Sequence, residues 1–377
     1  MRWLRVVMFC IVQVSLVACA PPPKGLLRVV APAPGTSQIS VIAATTRAPV
    51  DDPDILYGGD RGQSVSFHRI VVSIPRERSA GTLPLPRRLP GDPAKSFVAT
   101  SISPIDRHEI ASAFRVEGPR KRRAFVFVHG YSTTFDQAVF RFAQLVHDAD
   151  SRAVPVLFSW PSRGQFLDYK RDFDNASYSR TDLANLLEAA IDSPSIDEVI
   201  VMAHSMGAWL AVEALRQVAL KRGGIPTKIT SLILASPDLD VGVFRRQIED
   251  IGSKRPSITI FVAPNDRALQ LSRFISRGGT RLGGIDPTQQ TYRSALSDLA
   301  GITILDLSAL SSGDRINHAL YATAPEAVRL IGDRLLQGQV ITDTNSSRTT
   351  AVDTLGSAAT FLVAAPILIL DRAAGTP

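Results

Sequence analysis

Hydrophobic positions along this chain follow two patterns that alternate. Short apolar runs rich in Val, Ile and Phe recur at 69–74, 97–102, 124–128, 154–160, 198–203, 229–235, 258–263 and 302–307. Several lack polar alternation, as strands do when a sheet is buried on both faces. Between them apolar residues recur at helical spacing. Within 136–148, Val139, Phe142, Ala143 and Val146 share one face. Segments 181–191, 206–220, 266–275 and 324–336 predict further helices. The alternation predicts an α/β fold: three layers, a mostly parallel central sheet flanked by helices. Residues 41–118 carry fewer helical signals and are expected to form an antiparallel start to that sheet.

The chain has 377 residues, 45% hydrophobic and 20% charged. That balance excludes a disordered or fibrous protein. The net charge is +7, but no basic run is interleaved with aromatics, so no nucleic-acid partner is expected. The basic cluster Arg120-Lys121-Arg122-Arg123 precedes an apolar run and reads as a solvated turn rather than a lipid-headgroup contact. No cysteine-rich or His-x-x-x-His spacing points to a metal, and no glycine-rich phosphate loop points to a nucleotide. No metal or organic cofactor is therefore expected.

At the start of the chain, Arg2 and Arg5 precede an apolar run, 6–17, broken only by Gln13 and Ser15. This reads as an export signal, too short for a comfortable membrane span. The run ends Leu16-Val17-Ala18-Cys19, which resembles the bacterial lipobox. That resemblance implies removal of residues 1–18 and a lipid on Cys19. Ala20 after the cysteine implies the periplasmic face of the outer membrane of the cell envelope. A plain secretory signal cleaved near Ala20 is the alternative. Cys10 lies in the removed segment, so no disulfide is expected in the mature chain. Residues 19–40 are rich in proline and glycine and read as an extended tether. The domain is expected over 41–337. Residues 338–377 read as a polar linker and an apolar tail, 356–370, interrupted by Pro366; the tail packs on the domain, touches the membrane or docks a partner.

The run ending at Met202 passes through Ala203-His204-Ser205-Met206-Gly207 directly into a helical stretch. A serine at the apex of a sharp strand-to-helix turn needs small neighbours two residues away, which Ala203 and Gly207 supply. Further upstream, the apolar run 124–128 ends in His129-Gly130-Tyr131.

These segments resemble the nucleophile elbow and oxyanion loop of α/β hydrolases. From about Thr45 to Leu336 the chain is similar to a bacterial, esterase- or lipase-like branch of unassigned function. Ala203 departs from the first glycine of the family pattern. The resemblance implies Ser205 as nucleophile and the backbone N–H groups of Tyr131 and Met206 as oxyanion donors, with Gly130 permitting a close turn. His129 is then a structural loop residue. The family's chain order of nucleophile, acid and histidine leaves His318 as the base, because no other histidine follows Ser205. The acid is Asp266, after the run 258–263, or alternatively Asp238, after 229–235; Asp240, Asp306 and Asp314 are weaker. The implied activity is hydrolysis of an ester or related acyl bond in a small molecule or lipid. An acyltransferase, thioesterase or peptidase would use the same triad, and a silent envelope scaffold would use none of it. Residues 158–178 are expected to shape a pocket or lid; Arg163, Lys170, Arg171 and Arg180 read as a solvated loop, with attraction of an anionic substrate as the alternative.

Overall fold

The computed structural model describes residues 23–114, 122–165, 167–276, 278–292, 301–310, 313–333, 336 and 360–364. The strands are β1 (Ser37–Pro49), β2 (Tyr57–Ile74), β3 (Val98–Ile105), β4 (Arg123–Val128), β5 (Val154–Ser159), β6 (Glu198–His204), β7 (Ile229–Ala235), β8 (Ser257–Val262), β9 (Ile302–Asp306) and β10 (Thr360–Ala364). They form one sheet in the order β10-β9-β8-β7-β6-β4-β5-β1-β2-β3. Every neighbouring pair from β9 through β1 is parallel, and β10, β2 and β3 join antiparallel. The expected α/β architecture, with its antiparallel start, is what forms.

The longer helices are α1 (Phe135–Asp148), α2 (Tyr169–Asp192), α3 (Met206–Arg222), α4 (Val241–Ile251), α5 (Arg267–Ser276) and α6 (Pro325–Asp333). Two cores explain why the central runs lack alternation. Val199, Val201 and Ala203 of β6 pack on one face with residues of α2, α3 and α4. Ile200 and Met202 pack on the other with residues of α1 and α6. Side chains still alternate with period two, but both sides are dry.

Consecutive strands part company at β4. β5 lies on one side of it and β6 on the other, so α1 and α2 cover opposite faces. Such a reversal opens a crevice at the carboxyl ends of the strands, where ligands bind in open α/β sheets.

Several expectations need correction. The extended tether is not free to residue 40: Leu26 and Leu27 are buried, Leu27 N–H donates to Asp54 O, and β1 begins at Ser37. Helix α2 starts twelve residues earlier than the expected 181, at Tyr169. Its first half buries Asp172, Asn175 and Ser179, so apolar periodicity misses it. α4 was likewise not expected; it buries Phe244, Gln247, Ile248 and Ile251. Of the apolar tail, 360–364 pair with β9 and cover that sheet edge. Within the basic cluster, Arg122 bonds Asp197 and Arg123 bonds Glu198; Arg120, Lys121, Cys10 and Cys19 lie outside the described residues. Among the described residues no helix is long and apolar enough to cross a membrane.

Candidate active site

Only Ser205 separates β6 from α3, so one residue must reverse the chain. It does so at φ 54°, ψ −126°, a region that side-chain-bearing residues avoid. The turn is held by Ser205 N–H to Ala235 O, 3.0 Å, and Asp238 N–H to Ser205 O, 3.1 Å. Gly207 follows because there is no room for a side chain: a Cβ there would stand 2.2 Å from His129 O. Gly130 is confined from the opposite side, where a Cβ would lie 2.9 Å from Ser205 Cβ and 2.7 Å from His204 Nδ1. Thus the loop after β4 and the elbow after β6 touch through two glycines. Ala203 is fully buried beneath the turn.

Strain is concentrated here. Among the described residues, six besides glycine have positive φ, and Ser132, Ser205, Ser236 and Asn317 all belong to loops at this end of the sheet. Each costs on the order of 1–3 kcal/mol, which the surrounding contacts must offset.

Asp266 and His318 come from the loops after β8 and β9. Asp266 is buried, and its Oδ2 accepts a 2.7 Å hydrogen bond from His318 Nδ1–H. Its Oδ1 accepts the Leu269 N–H at 3.0 Å, which fixes the carboxylate plane at the start of α5. Burial works against the His318 imidazolium. The Asp266 hydrogen bond and charge, with Asp238 and Asp314 behind them, outweigh it, so the pKa lies above the ordinary value. The His318 loop is tied down by Asp314, which accepts the Ala319 and Ile316 N–H groups.

His204 links elbow to base. Its Nε2–H donates to His318 O at 3.0 Å, and its ring lies 4.6 Å from that of His318. Burial, followed by the neighbouring His318, pushes its pKa well below the ordinary value, so it is neutral. Through that hydrogen bond the His204 side chain ties the residue next to Ser205 to the loop that carries His318.

The alternative acid, Asp238, is engaged elsewhere. It accepts from Ser272 Oγ at 2.6 Å and Tyr169 OH at 2.9 Å, and Arg281 Nε lies 3.2 Å away. It joins α2 and α5 to the loop after β7.

His129 is held in the loop after β4 by both ring nitrogens. Its Nδ1–H donates to Gly130 O at 2.8 Å, and Nε2 accepts the Trp160 N–H at 3.2 Å. The ring stacks on Trp160, and burial, reinforced by Arg47, lowers its pKa to about 3. Tyr131 follows Gly130, its ring set edge-on to Tyr169 at 5.3 Å. Met206 opens α3, and first-turn amides have no acceptor within their own helix.

The structure therefore gathers Ser205, His318, Asp266, Gly130, Tyr131, Met206 and Gly207 at one sheet end. Sequence reasoning missed Arg47, which is 1% exposed although fully polar at its tip. The one available signal was a single charge in a stretch of apolar residues and threonines, Ile42 to Ala48. It also missed Asp172, Ser159 and Ser162, all buried beside the loop after β4. No group of three or more metal-ligating side chains occurs among the described residues.

Comparison with known proteins gives a family match. The family described as "Alpha/beta hydrolase of unknown function (DUF900)" matches residues 107–334, more than half of the chain. An uncharacterised protein of Nostoc sp. is 40% identical over 63 residues, which is 17% of this chain and 16% of its own length. The chain thus matches about a sixth of that relative. Among solved structures, Est1E from Butyrivibrio proteoclasticus is 11% identical, with TM-score 0.36, over 58% of this chain and 89% of its own. Carboxylesterase CesB from Bacillus subtilis is 12% identical, with TM-score 0.32, over 56% of this chain and 82% of its own. At those scores neither likeness bears on activity.

Proposed function

The chain belongs to the DUF900 family of α/β hydrolases, and on that footing we propose that it is a serine hydrolase cleaving an ester or related acyl bond. The observation that carries this reading is the 2.7 Å bond from His318 to the buried Asp266, at the same end of the sheet as an elbow serine held at positive φ.

With Nδ1–H committed to Asp266, His318 Nε2 is the nitrogen with a free lone pair. Ser205 Oγ attacks the acyl carbonyl while Nε2 takes its proton. Nε2 then returns the proton to the departing alcohol as the tetrahedral adduct collapses to an acyl-enzyme. Water, deprotonated by the same nitrogen, releases the acid and restores Ser205. Asp266 keeps the tautomer and stabilises the imidazolium. The backbone N–H groups of Tyr131 and Met206 receive the oxyanion, each contributing about 3 kcal/mol to the transition state.

The substrate class is a small molecule or lipid bearing an acyl group. The leader 1–18 and Cys19 add an address: export, lipid attachment at Cys19, and residence at the cell envelope on the periplasmic side of the outer membrane. Palmitate incorporation should vanish in Cys19→Ala, and incorporation that survives refutes the anchor.

Fluorophosphonate labelling tests the hydrolase. Wild-type protein should label at one site, Ser205→Ala not at all, and His318→Ala far more slowly. A folded wild type that stays unlabelled refutes the reading.

A further inference from the structure

The loop that would hold the oxyanion is fastened by side chains rather than by its own backbone. Ser132 N–H donates to Asp172 Oδ2 at 3.3 Å, Thr133 N–H to Ser162 Oγ at 3.0 Å, and Thr134 N–H to Gln137 Oε1 at 3.1 Å. Ser162 Oγ–H in turn donates to Asp172 Oδ2. Three consecutive amides thus end on polar side chains, two of them in one cluster around Asp172.

Behind that cluster sits Arg47 of β1. Its Nη2 donates to Thr133 O at 2.7 Å and faces His129 Nε2 at 3.3 Å. Its Nη1 donates to Ser162 O at 2.7 Å and Gly58 O at 3.0 Å, and its Nε to Ser159 Oγ at 2.8 Å. A planar fork of five donors matches acceptors converging from different directions, which a lysine ammonium cannot do. Burial lowers the Arg47 pKa to about 9, so the group is charged at neutral pH, with Asp172 and Asp136 as the nearby counter-charges.

Placing a guanidinium here is costly for folding alone. A buried ion pair often contributes no more stability than well-packed apolar residues of the same size. What the arrangement achieves is geometric: both sides of residues 129–134, carbonyl and amide, are clamped, and Ser132 is held at φ 55°. We infer that Arg47 and Asp172 are positioning residues that set the loop after β4, and with it the Tyr131 N–H, against the elbow serine. The inference rests on the proposed serine hydrolase for its catalytic consequence, but not for its structural one.

Two readouts separate the possibilities, using Asp172→Asn, Ser162→Ala, Arg47→Lys and Arg47→Met in the full chain. The first is the fluorophosphonate rate constant across pH, with labelling stoichiometry at completion. Loss of one aligned oxyanion donor costs about 10²-fold. The plateau rate should fall by that order in Arg47→Met and Asp172→Asn. The pH midpoint, which belongs to His318 and Asp266, should stay in place, and stoichiometry should stay near one. Arg47→Lys keeps the charge without the fork and should restore at most part of the rate. A merely unstable variant would instead lose stoichiometry at an unchanged rate constant.

The second readout is hydrogen exchange at the Ser132 and Thr133 amides, which needs no activity. Exchange should speed up in Asp172→Asn and Ser162→Ala while the α3 amides keep their protection. Wild-type rates together with wild-type exchange in Asp172→Asn and Arg47→Lys overturn the inference. A wild type that never labels, combined with faster loop exchange in the variants, overturns the hydrolase reading and leaves the clamp standing.

Discussion

Gly207 is where helix α3 meets the end of β4, and Gly207→Ala tests that contact directly. The added Cβ would lie 2.2 Å from His129 O, 2.9 Å from Val128 O and 3.1 Å from His129 C, against 3.4 Å for the shortest ordinary contact. All three atoms are backbone, so none can swing away. The first turn of α3 must therefore retreat from the 129–134 loop by about 1 Å, and overpacking of this kind costs about 1–3 kcal/mol. In a domain of this size that lowers Tm by roughly 2–4 °C per kcal/mol. The same displacement separates the Met206 N–H and Ser205 from the Tyr131 N–H, and about 1 Å of misplacement is worth on the order of 10²-fold in rate. Thermal unfolding and fluorophosphonate labelling of the same preparation measure both. Gly223→Ala is the control: its φ is 72°, yet nothing lies within 4 Å of the new Cβ. It should cost about 1 kcal/mol of helix-end strain and leave the labelling rate alone. Wild-type Tm and wild-type labelling in Gly207→Ala would refute the proposed contact between elbow and loop.

Three further outcomes follow from the site. Because the His318 pKa is raised and the base must be neutral, the labelling rate should climb with pH through a midpoint above the ordinary histidine value of about 6.5. The linked stabilisation has the opposite trend: it is complete below the unfolded-state pKa and fades as pH rises through the folded one, which urea titrations at several pH values would register. Asp266→Asn should lower that midpoint and cut the plateau by about 10⁴-fold, since an amide disfavours the needed tautomer; Asp238→Asn should leave the rate within about tenfold, and the reverse ranking would make Asp238 the acid. His204→Phe keeps the ring against Tyr321, at 4.7 Å in the native protein, but removes the donor to His318 O. Loss of one hydrogen bond predicts about 1 kcal/mol, seen as a several-fold slower labelling rate, and no change would mean that His204 merely fills space.

The parts of this fold that could be read from sequence are those in which chemistry repeats. β4 to β9 are buried on both faces and mostly apolar, so each stands out as a run, and the expected boundaries fall close to the observed strands. The elbow was legible because the turn constrains its neighbours: Ala203 and Gly207 are small for steric reasons that hold whatever the substrate. His318 was legible because few histidines exist and only one follows Ser205. The choice between Asp266 and Asp238 was not, because both follow a strand end and carry the same side chain. The two differ in direction, which the sequence does not encode: Asp266 faces His318, whereas Asp238 faces Ser272, Tyr169 and Arg281.

What was illegible has a common cause. Hydrophobic periodicity identifies an element only when its buried face is apolar, and here the faces nearest the site are polar. α2 inserts Asp172, Asn175 and Ser179 where a helix ordinarily inserts leucines, so its first three turns look like a loop. β1 carries Arg47 in the sheet where a valine would suit the pattern. Each departure breaks a local rule and is compensated by partners far away in sequence, Arg47 by Thr133 and Ser162, Asp172 by Ser132. Local rules fail where a site imposes demands that packing alone would not. Buried polar side chains occur elsewhere in the fold as well, such as Gln144, Ser231 and Thr259. What distinguishes Arg47 and Asp172 is that both end on the backbone of residues 132–133, where an apolar core would have closed the same gap at lower cost.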